Sequence, residues 1–251
     1  MILEEHLPYE IDVGVAARAR IGLVTLASDY TIEPEWRTLM DLPGVAWYGA
    51  RILNDNVITP ETLRAMGPRI TDTANLILPG AEIDVLAFGC TSASMALGED
   101  VVFERLKAAR PEAKTTTPIT AAFAAFNAFG AKRIGVLTPY RADVNQIVAN
   151  YINNEGFEVP VFGSFNQERD DLVARINGQS LTAGIQHICK KAEVDAVFVS
   201  CTSVRLADAV TNIEREIGLP VTSSNHAMAW HALRLAGIED KSPHLGRLFE
   251  L

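Results

Sequence analysis

Two segments of this 251-residue chain, about 111 positions apart, follow nearly the same pattern. In each, an aspartate opens an uncharged run that ends in Cys-Thr-Ser, so that Asp84 leads to Cys90 and Asp195 leads to Cys201. Two more matches occur in the same order: residues 20–25 (RIGLVT) recur as 133–138 (RIGVLT), and 118–120 (PIT) recur more loosely as 220–222 (PVT). Three matches in one order predict an internally duplicated unit.

Short apolar runs alternate with longer helical patterns, which is typical of βαβ units around a parallel sheet. Together with the duplication, this predicts an α/β fold of two pseudo-symmetric lobes, each a parallel sheet flanked by helices. We place the first lobe at residues 1–118 plus 223–251 and the second at 119–222. Strands are expected at 21–26, 45–52, 85–88, 133–138, 159–162 and 196–199. One helix is expected at about 92–109, another from Cys201 to about 217, and a last one at about 226–236.

The composition limits the possible partners. A net charge of −9 argues against a nucleic-acid or anionic-membrane surface, because both require a basic patch. No apolar stretch approaches the roughly 18 residues that span a bilayer, and four acidic residues among the first twenty are unlike a signal peptide. Three cysteines without CxxC spacing predict a reduced, cytoplasmic protein. His226 and His231 lie close in the sequence but lack the third ligand that a metal site needs.

The chemistry is expected at the two repeated turns. In open parallel sheets, ligands bind at the carboxyl ends of the strands, where both Cys-Thr-Ser turns lie. A helix beginning after each cysteine is expected to lower the thiol pKa, and the hydroxyls of Thr91, Ser92, Thr202 and Ser203 are expected to bind a substrate carboxylate. One thiol can then take a proton while the other donates one, or one can add to a double bond.

Other polar residues near these strand ends have competing interpretations. A lone cysteine is usually a small buried apolar residue, and Cys189 is assigned to the core on that basis. Asp29 is either a substrate ligand or a helix N-cap, and Tyr140 either binds a carboxylate or packs in a turn. The four hydroxyl residues of the repeated turns can equally cap helices. Arg169 and Asp170 are expected to be solvated charges.

The motifs also resemble a known family. From about Arg20 to Gly237 the chain is similar to the Asp/Glu racemase superfamily, and within it to the maleate cis–trans isomerase and arylmalonate decarboxylase group. Residues 31–36 (TIEPEW), 88–94 (FGCTSAS) and 223–230 (SSNHAMAW) resemble most the ectoine-utilisation protein of that group. The resemblance implies an active site between the lobes, paired cysteines at Cys90 and Cys201, carboxylate binding by Tyr140, no metal or cofactor, and a homodimer.

The same resemblance frames the expected reaction. Decarboxylases of the group keep only the second cysteine, so two cysteines favour an isomerase or racemase acting on a small carboxylate, in the catabolism of ectoine or a related amino-acid derivative. Where the isomerases carry Pro-Ser-Ser-Asn, this chain has Leu-Ala-Ser-Asp ending at Asp29. A carboxylate there repels a second substrate carboxylate and favours a substrate with an amino or amidine group. The alternatives are a decarboxylase that uses Cys201 as proton donor and a non-catalytic two-lobed binder of small ligands.

Overall fold

Two four-stranded parallel sheets form the framework of the protein, in a computed structural model that describes residues 1–55, 57–167 and 169–251. The first sheet has the order β2-β1-β3-β4 and the second the equivalent order β6-β5-β7-β8. The strands are β1 (Ala19–Leu26), β2 (Val45–Ile52), β3 (Val85–Gly89), β4 (Lys114–Thr116), β5 (Arg133–Thr138), β6 (Glu158–Ser164), β7 (Ala196–Val199) and β8 (Val221–Ser223). The predicted α/β fold with two pseudo-symmetric parallel sheets is therefore confirmed.

Eleven helices are present in the described part of the chain and cover the faces of the two sheets. They are α1 (Ile32–Leu39), α2 (Pro60–Arg64), α3 (Ile70–Asn75), α4 (Thr91–Leu97), α5 (Glu99–Ala109), α6 (Pro118–Phe129), α7 (Ala142–Asn154), α8 (Asp170–Val173), α9 (Gly178–Cys189), α10 (Val210–Ile217) and α11 (Ser224–Leu235). Short 3-10 turns lie at Gly67–Arg69, Pro243–Leu245 and Arg247–Glu250. None of the helices described is long and apolar enough to cross a membrane.

The repeated aspartates accept equivalent hydrogen bonds in both sheets. Asp84 Oδ2 accepts a hydrogen bond from the backbone N–H of Arg20 at 2.7 Å, and Asp195 Oδ2 accepts one from the N–H of Arg133 at 2.7 Å. Each aspartate opens a central strand and satisfies the first free donor of the neighbouring strand. The repeat seen in the sequence therefore encodes the start of the central strand pair in each lobe.

Two helices cross the joint between the sheets. Helix α6 follows β4 of the first sheet and packs in the core of the second, where the Phe126 ring lies 5.6 Å from that of Phe198 in β7. Its opposite face buries Ala121 and Ala125 in the core of the first sheet. Helix α11 follows β8 of the second sheet but buries Ala227 and Met228 in a core with Ile21 of β1. The lobe boundaries near residues 118 and 222 stay a prediction.

Two expected helices differ from the structure. The single helix expected at about 92–109 is two helices, because Gly98 adopts a φ of 87° that only glycine reaches easily, and α5 starts afresh with Glu99 and Asp100 in its first turn. The helix expected from Cys201 onward begins only at Val210. The N–H groups of Leu206 and Ala207, in the turn between, donate to the buried Glu35 carboxylate of α1 at 2.6 Å.

Candidate active site between the two sheets

The carboxyl ends of the central strands enclose one cavity to which both sheets contribute. Cys90 follows β3 and Cys201 follows β7, separated from it only by Ser200. The described residues lining the cavity are Leu26, Asn54, Asp55, Val57, Ile58, Thr62, Leu63, Met66, Cys90, Thr91, Ser92, Tyr140, Asp170, Cys201, Thr202 and Ser203. The structure thus brings together seven of the eight predicted site residues, all except Asp29.

The first cysteine sits at the start of a helix. Cys90 is the N-cap residue of α4, its side chain is 3% exposed, and its Sγ lies 3.9 Å from Ser92 Oγ. The Ser94 hydroxyl donates to the Cys90 carbonyl oxygen at 2.7 Å, which fixes the backbone of the turn. Burial raises the pKa of the Cys90 thiol to about 12, and the Asp170 and Asp29 carboxylates raise it as well.

The second cysteine lies in a turn with no helix behind it. The N–H of Ser203 donates to Cys201 Sγ at 3.4 Å, and the Tyr140 hydroxyl also hydrogen-bonds to this sulfur. Burial raises the pKa of Cys201 above its usual range, chiefly with the help of the Asp170 charge, and the Tyr140 hydrogen bond only partly offsets this. The Tyr140 hydroxyl is itself buried, which raises its own pKa well above 10.0.

The prediction that both thiol pKa values are lowered is therefore wrong for the empty cavity. A helix begins directly after Cys90 but not after Cys201, so the expected dipole acts on one sulfur only. Burial outweighs it even at Cys90, because a thiolate in an apolar enclosure loses its hydration. Both cysteines are thiols at neutral pH until something in the cavity changes their surroundings.

A serine that the sequence analysis did not single out joins the two turns. Ser224 Oγ, at the start of α11, accepts from the Thr91 hydroxyl at 2.7 Å and from the Cys201 N–H at 3.0 Å. The two Cys-Thr-Ser turns are thus held by one buried atom, and their relative position depends on it. Its place in the Ser-Ser-Asn run after β8 was visible, but nothing in that run indicates a contact with Thr91.

Asp29 lies outside the cavity lining, two residues before Thr31, the N-cap residue of α1, and its carboxylate binds N–H groups at the start of that helix. Its Oδ1 accepts from the N–H groups of Thr31 and Ile32 at 2.7 and 2.8 Å, whereas its buried Oδ2 has no partner at full hydrogen-bond geometry among the described residues. Burial raises its pKa to about 6, against the effect of the two N–H groups. Oδ1 thus acts at the start of the helix, as the capping alternative expected. A role for Oδ2 in substrate binding stays a prediction.

Asp170, expected to be solvated, is instead buried in the cavity wall. It is 5% exposed, with Oδ2 accepting from the Ser28 hydroxyl at 3.0 Å and Oδ1 from the Ser203 hydroxyl at 3.3 Å. Because Ser28 follows β1 and Ser203 follows β7, this carboxylate spans the cleft between the two sheets. The companion prediction holds for Arg169, which is exposed and paired with Asp171.

A second buried carboxylate supports the turn after Cys201 from outside the cavity. Glu35 Oε1 accepts from the two N–H groups described above, and its Oε2 accepts from Asn225 Nδ2 at 2.7 Å. The same Asn225 nitrogen donates to the Thr202 carbonyl oxygen at 2.7 Å. Burial raises the pKa of Glu35 to about 7, partly offset by these donors. Local sequence gave no signal for this network, since its members lie in three distant segments.

Loops from both sheets meet beside the cavity. Val57, after β2, forms an antiparallel bridge with Arg169, just before α8. The space left inside is about 20 Å³, enough for one or two water molecules.

The third cysteine lies elsewhere. Cys189 ends α9, half-buried and packed beside the core of the second lobe, as expected. His226, one of the two histidines considered above, is buried with Nδ1 3.0 Å from Thr222 Oγ1 and Nε2 2.6 Å from the Leu245 carbonyl oxygen. Within the described ranges, no three His, Cys, Asp or Glu side chains are placed to hold a metal ion.

Comparison with known proteins agrees with this site. The arylmalonate decarboxylase family model matches residues 21–249. The maleate isomerase of Nocardia farcinica is 28% identical over 239 residues, covering 91% of this chain and 94% of that one. A cysteine-to-serine mutant of the Nocardia farcinica maleate cis–trans isomerase, carrying a covalently bound succinylcysteine intermediate, superposes with a TM-score of 0.83 at 26% identity and covers 92% of this chain and 98% of its own.

A decarboxylase structure is similarly close. A double mutant of arylmalonate decarboxylase in its liganded form has a TM-score of 0.80 at 28% identity, covering 92% of this chain and 99% of that one. These relatives confirm the group predicted from the sequence, and isomerase, the predicted enzyme class, is the class of several of them. With two thiols facing one cavity and a family match over nearly its whole length, the chain belongs to the arylmalonate decarboxylase family, which it shares with the maleate isomerases.

Proposed function

We propose that the protein is an isomerase that acts on a small unsaturated carboxylate through the Cys90 and Cys201 thiols. The observation that carries the proposal is the placement of both thiols on one cavity at equivalent strand ends. A related isomerase with the same fold holds a covalent succinylcysteine intermediate, which supports addition of a cysteine to the substrate.

We assign the addition to Cys90. Helix α4 begins directly after Cys90, whereas no helix begins directly after Cys201, so the free N–H groups and the dipole of a helix start favour the thiolate at Cys90 only. Its sulfur bonds to one carbon of the double bond, and its proton, relayed by Cys201, goes to the other. Rotation about the resulting single bond and reversal of both steps release the other geometric isomer.

The remaining predicted site residues bind the substrate in this proposal. The hydroxyls of Tyr140, Thr91, Ser92, Thr202 and Ser203 surround the cavity and can bind one carboxylate. Each has a single proton, and those of Thr91, Ser203 and Tyr140 now donate it to Ser224, Asp170 and Cys201, so these three donate to a substrate only by exchanging that acceptor. A homodimer stays a prediction from the resemblance. A role in the breakdown of ectoine or a related amino-acid derivative also rests on the sequence motifs alone.

The test is a panel of small mono- and dicarboxylates, ectoine breakdown products included, incubated in deuterated water and followed by proton NMR. Cys90→Ala and Cys201→Ala should each abolish isomerisation, and any covalent substrate adduct detected by mass spectrometry should lie on Cys90. Cys189→Ala is the matched control and should retain full turnover. Isomerisation that survives in Cys90→Ala would refute the mechanism.

Decarboxylation is the second candidate, because the matching family model describes decarboxylases. Cys201 alone would then protonate the carbanion, and Cys90 would take no part. The same variants separate the two reactions: a decarboxylase loses turnover in Cys201→Ala but keeps it in Cys90→Ala.

A further inference from the structure

The cavity carries negative charge and no positive side chain in its described lining. Asp55 and Asp170 are the charged members of that lining, which contains no Lys, Arg or His. One substrate carboxylate can be held by the hydroxyl donors, as argued above. A second carboxylate would face Asp170 in a site of low polarity, where like charges repel strongly.

The Asp170 carboxylate can accept more hydrogen bonds than it receives. Each of its oxygens receives one hydroxyl hydrogen bond, from Ser28 or Ser203, and a carboxylate offers about four acceptor positions. These two hydroxyls fix the carboxylate plane from opposite lobes. Nothing in the described parts of the chain forms an ion pair with it.

The nearby arginines are committed elsewhere. Arg169 forms two hydrogen bonds of 3.0 Å to the Asp171 carboxylate. Arg51 pairs with Glu33 and donates to the carbonyl oxygens of Ala27 and Asp29. A buried carboxylate without a counter-ion is unfavourable, and an incoming cation would relieve that cost.

Asp29 adds an independent indication. Its Oδ2 is buried and has no partner at full hydrogen-bond geometry, although the Thr202 hydroxyl lowers the Asp29 pKa, and its charge raises the pKa values of Cys90 and Cys201. Asp29 is not part of the cavity lining, so its charge adds to the negative field there while Asp170 is the buried carboxylate that a ligand can contact.

We propose that the substrate carries a protonated amine or amidine in addition to its carboxylate, and that Asp170 binds this cation. The inference rests on the proposed function for its carboxylate end, and it names the substrate class: small zwitterionic acids rather than dicarboxylates. Asp170 is then the residue that separates this enzyme's substrate from maleate.

The same contact explains how buried thiols become reactive. After burial itself, the Asp170 charge is the main influence that raises the pKa of Cys201, and it also raises that of Cys90. A cation bound to Asp170 cancels that influence and lowers both pKa values. The thiols are activated by the correct substrate and stay protected in its absence.

The test compares two ligands of the same shape and opposite charge at one end. Succinate and 3-amidinopropanoate share one carbon skeleton, with a carboxylate in the first where the second has an amidinium. Isothermal titration calorimetry at neutral pH should show 3-amidinopropanoate binding more tightly than succinate by about tenfold or more. In Asp170→Asn that preference should shrink to about twofold or less, because the asparagine keeps the two hydroxyl contacts but not the charge.

The matched control is Asp72→Asn, which removes the same charge from an exposed site on α3 and should keep the full preference. Tighter binding of succinate to the wild-type protein, no detectable binding of 3-amidinopropanoate, or a preference that persists in Asp170→Asn would each overturn the proposal. Because calorimetry needs no turnover, this result is independent of the cysteine variants. The cation site and the thiol mechanism can therefore fail separately.

Discussion

The buried carboxylate of Glu35 makes a quantitative prediction about pH and stability. Its pKa is raised from 4.5 to about 7, chiefly by burial. A raised carboxyl pKa means that the folded protein keeps the proton longer than the unfolded chain does. Between pH 4.5 and 7 the unfolded chain ionises and gains free energy that the folded protein does not, so stability falls as the pH rises.

The magnitude follows from the shift. Over the range from pH 5 to pH 8, Glu35 lowers the free energy of unfolding by roughly 2.5 kcal/mol, taking about 1.4 kcal/mol for each pKa unit. Replacing it with glutamine removes this dependence, because the amide does not titrate. The amide oxygen still accepts from the N–H groups of Leu206 and Ala207, whereas its nitrogen faces Asn225 Nδ2 and adds a constant penalty.

The assay is urea unfolding of the wild-type protein and Glu35→Gln at several pH values from 5 to 8. Asp29 and Asp170 titrate in the same direction, but both proteins contain them, so the difference between the two curves isolates Glu35. That difference should change by roughly 2.5 kcal/mol across the range, in favour of Glu35→Gln at high pH. Glu104→Gln, at an exposed position on α5, should run parallel to the wild type. Parallel curves for Glu35→Gln as well would refute the argument.

Three further substitutions test the site and its frame. Ser224→Ala leaves the Thr91 hydroxyl and the Cys201 N–H without their shared acceptor, so unfolding should become easier by about 1–3 kcal/mol and turnover should fall; Ser180→Ala, on the surface, should do neither. Tyr140→Phe removes a hydrogen bond that lowers the Cys201 pKa, so a small alkylating agent should modify Cys201 more slowly at a fixed alkaline pH, followed by mass spectrometry, and an unchanged rate would contradict that contact. Gly246→Ala forces φ 94° on a residue whose Cβ would lie 3.2 Å from Glu214 Oε2, so it should destabilise the fold by about 1–3 kcal/mol. Gly80→Ala shares the strained φ without that contact and should cost less in thermal unfolding.

Much of the fold was predictable because its strands are short uncharged runs with marked ends. β2 spans Val45–Ile52, as predicted, and β5 spans Arg133–Thr138. The helix boundaries were less predictable where a distant side chain decides the local conformation. Residues 202–209 resemble a helix start. In the structure the N–H groups of Leu206 and Ala207 donate instead to the carboxylate of Glu35, which is far away in the chain. No window around Cys201 contains that information.

The candidate site shows the same division. Duplication alone identified Cys90 and Cys201, since two cysteines at equivalent strand ends of facing sheets share a cleft. Asp170 was missed because a pair of aspartates beside an arginine is typical of a solvated helix start. Asp170 is buried because it contacts Ser28 and because Val57 and Arg169 form a bridge beside it, and both of these contacts join the two lobes. Long-range contacts of this kind leave no periodic pattern in the sequence.

The packing of α6 and α11 between the sheets has a consequence for how the molecule holds together. Helix α6 buries side chains in the cores of both sheets, and α11, which follows the last strand of the second sheet, packs in the core of the first. Neither half has a complete hydrophobic interior alone, so a cut at Gly130 should not release two stable fragments. Both halves must fold and unfold together, and the two thiols face one cavity only when both halves are folded.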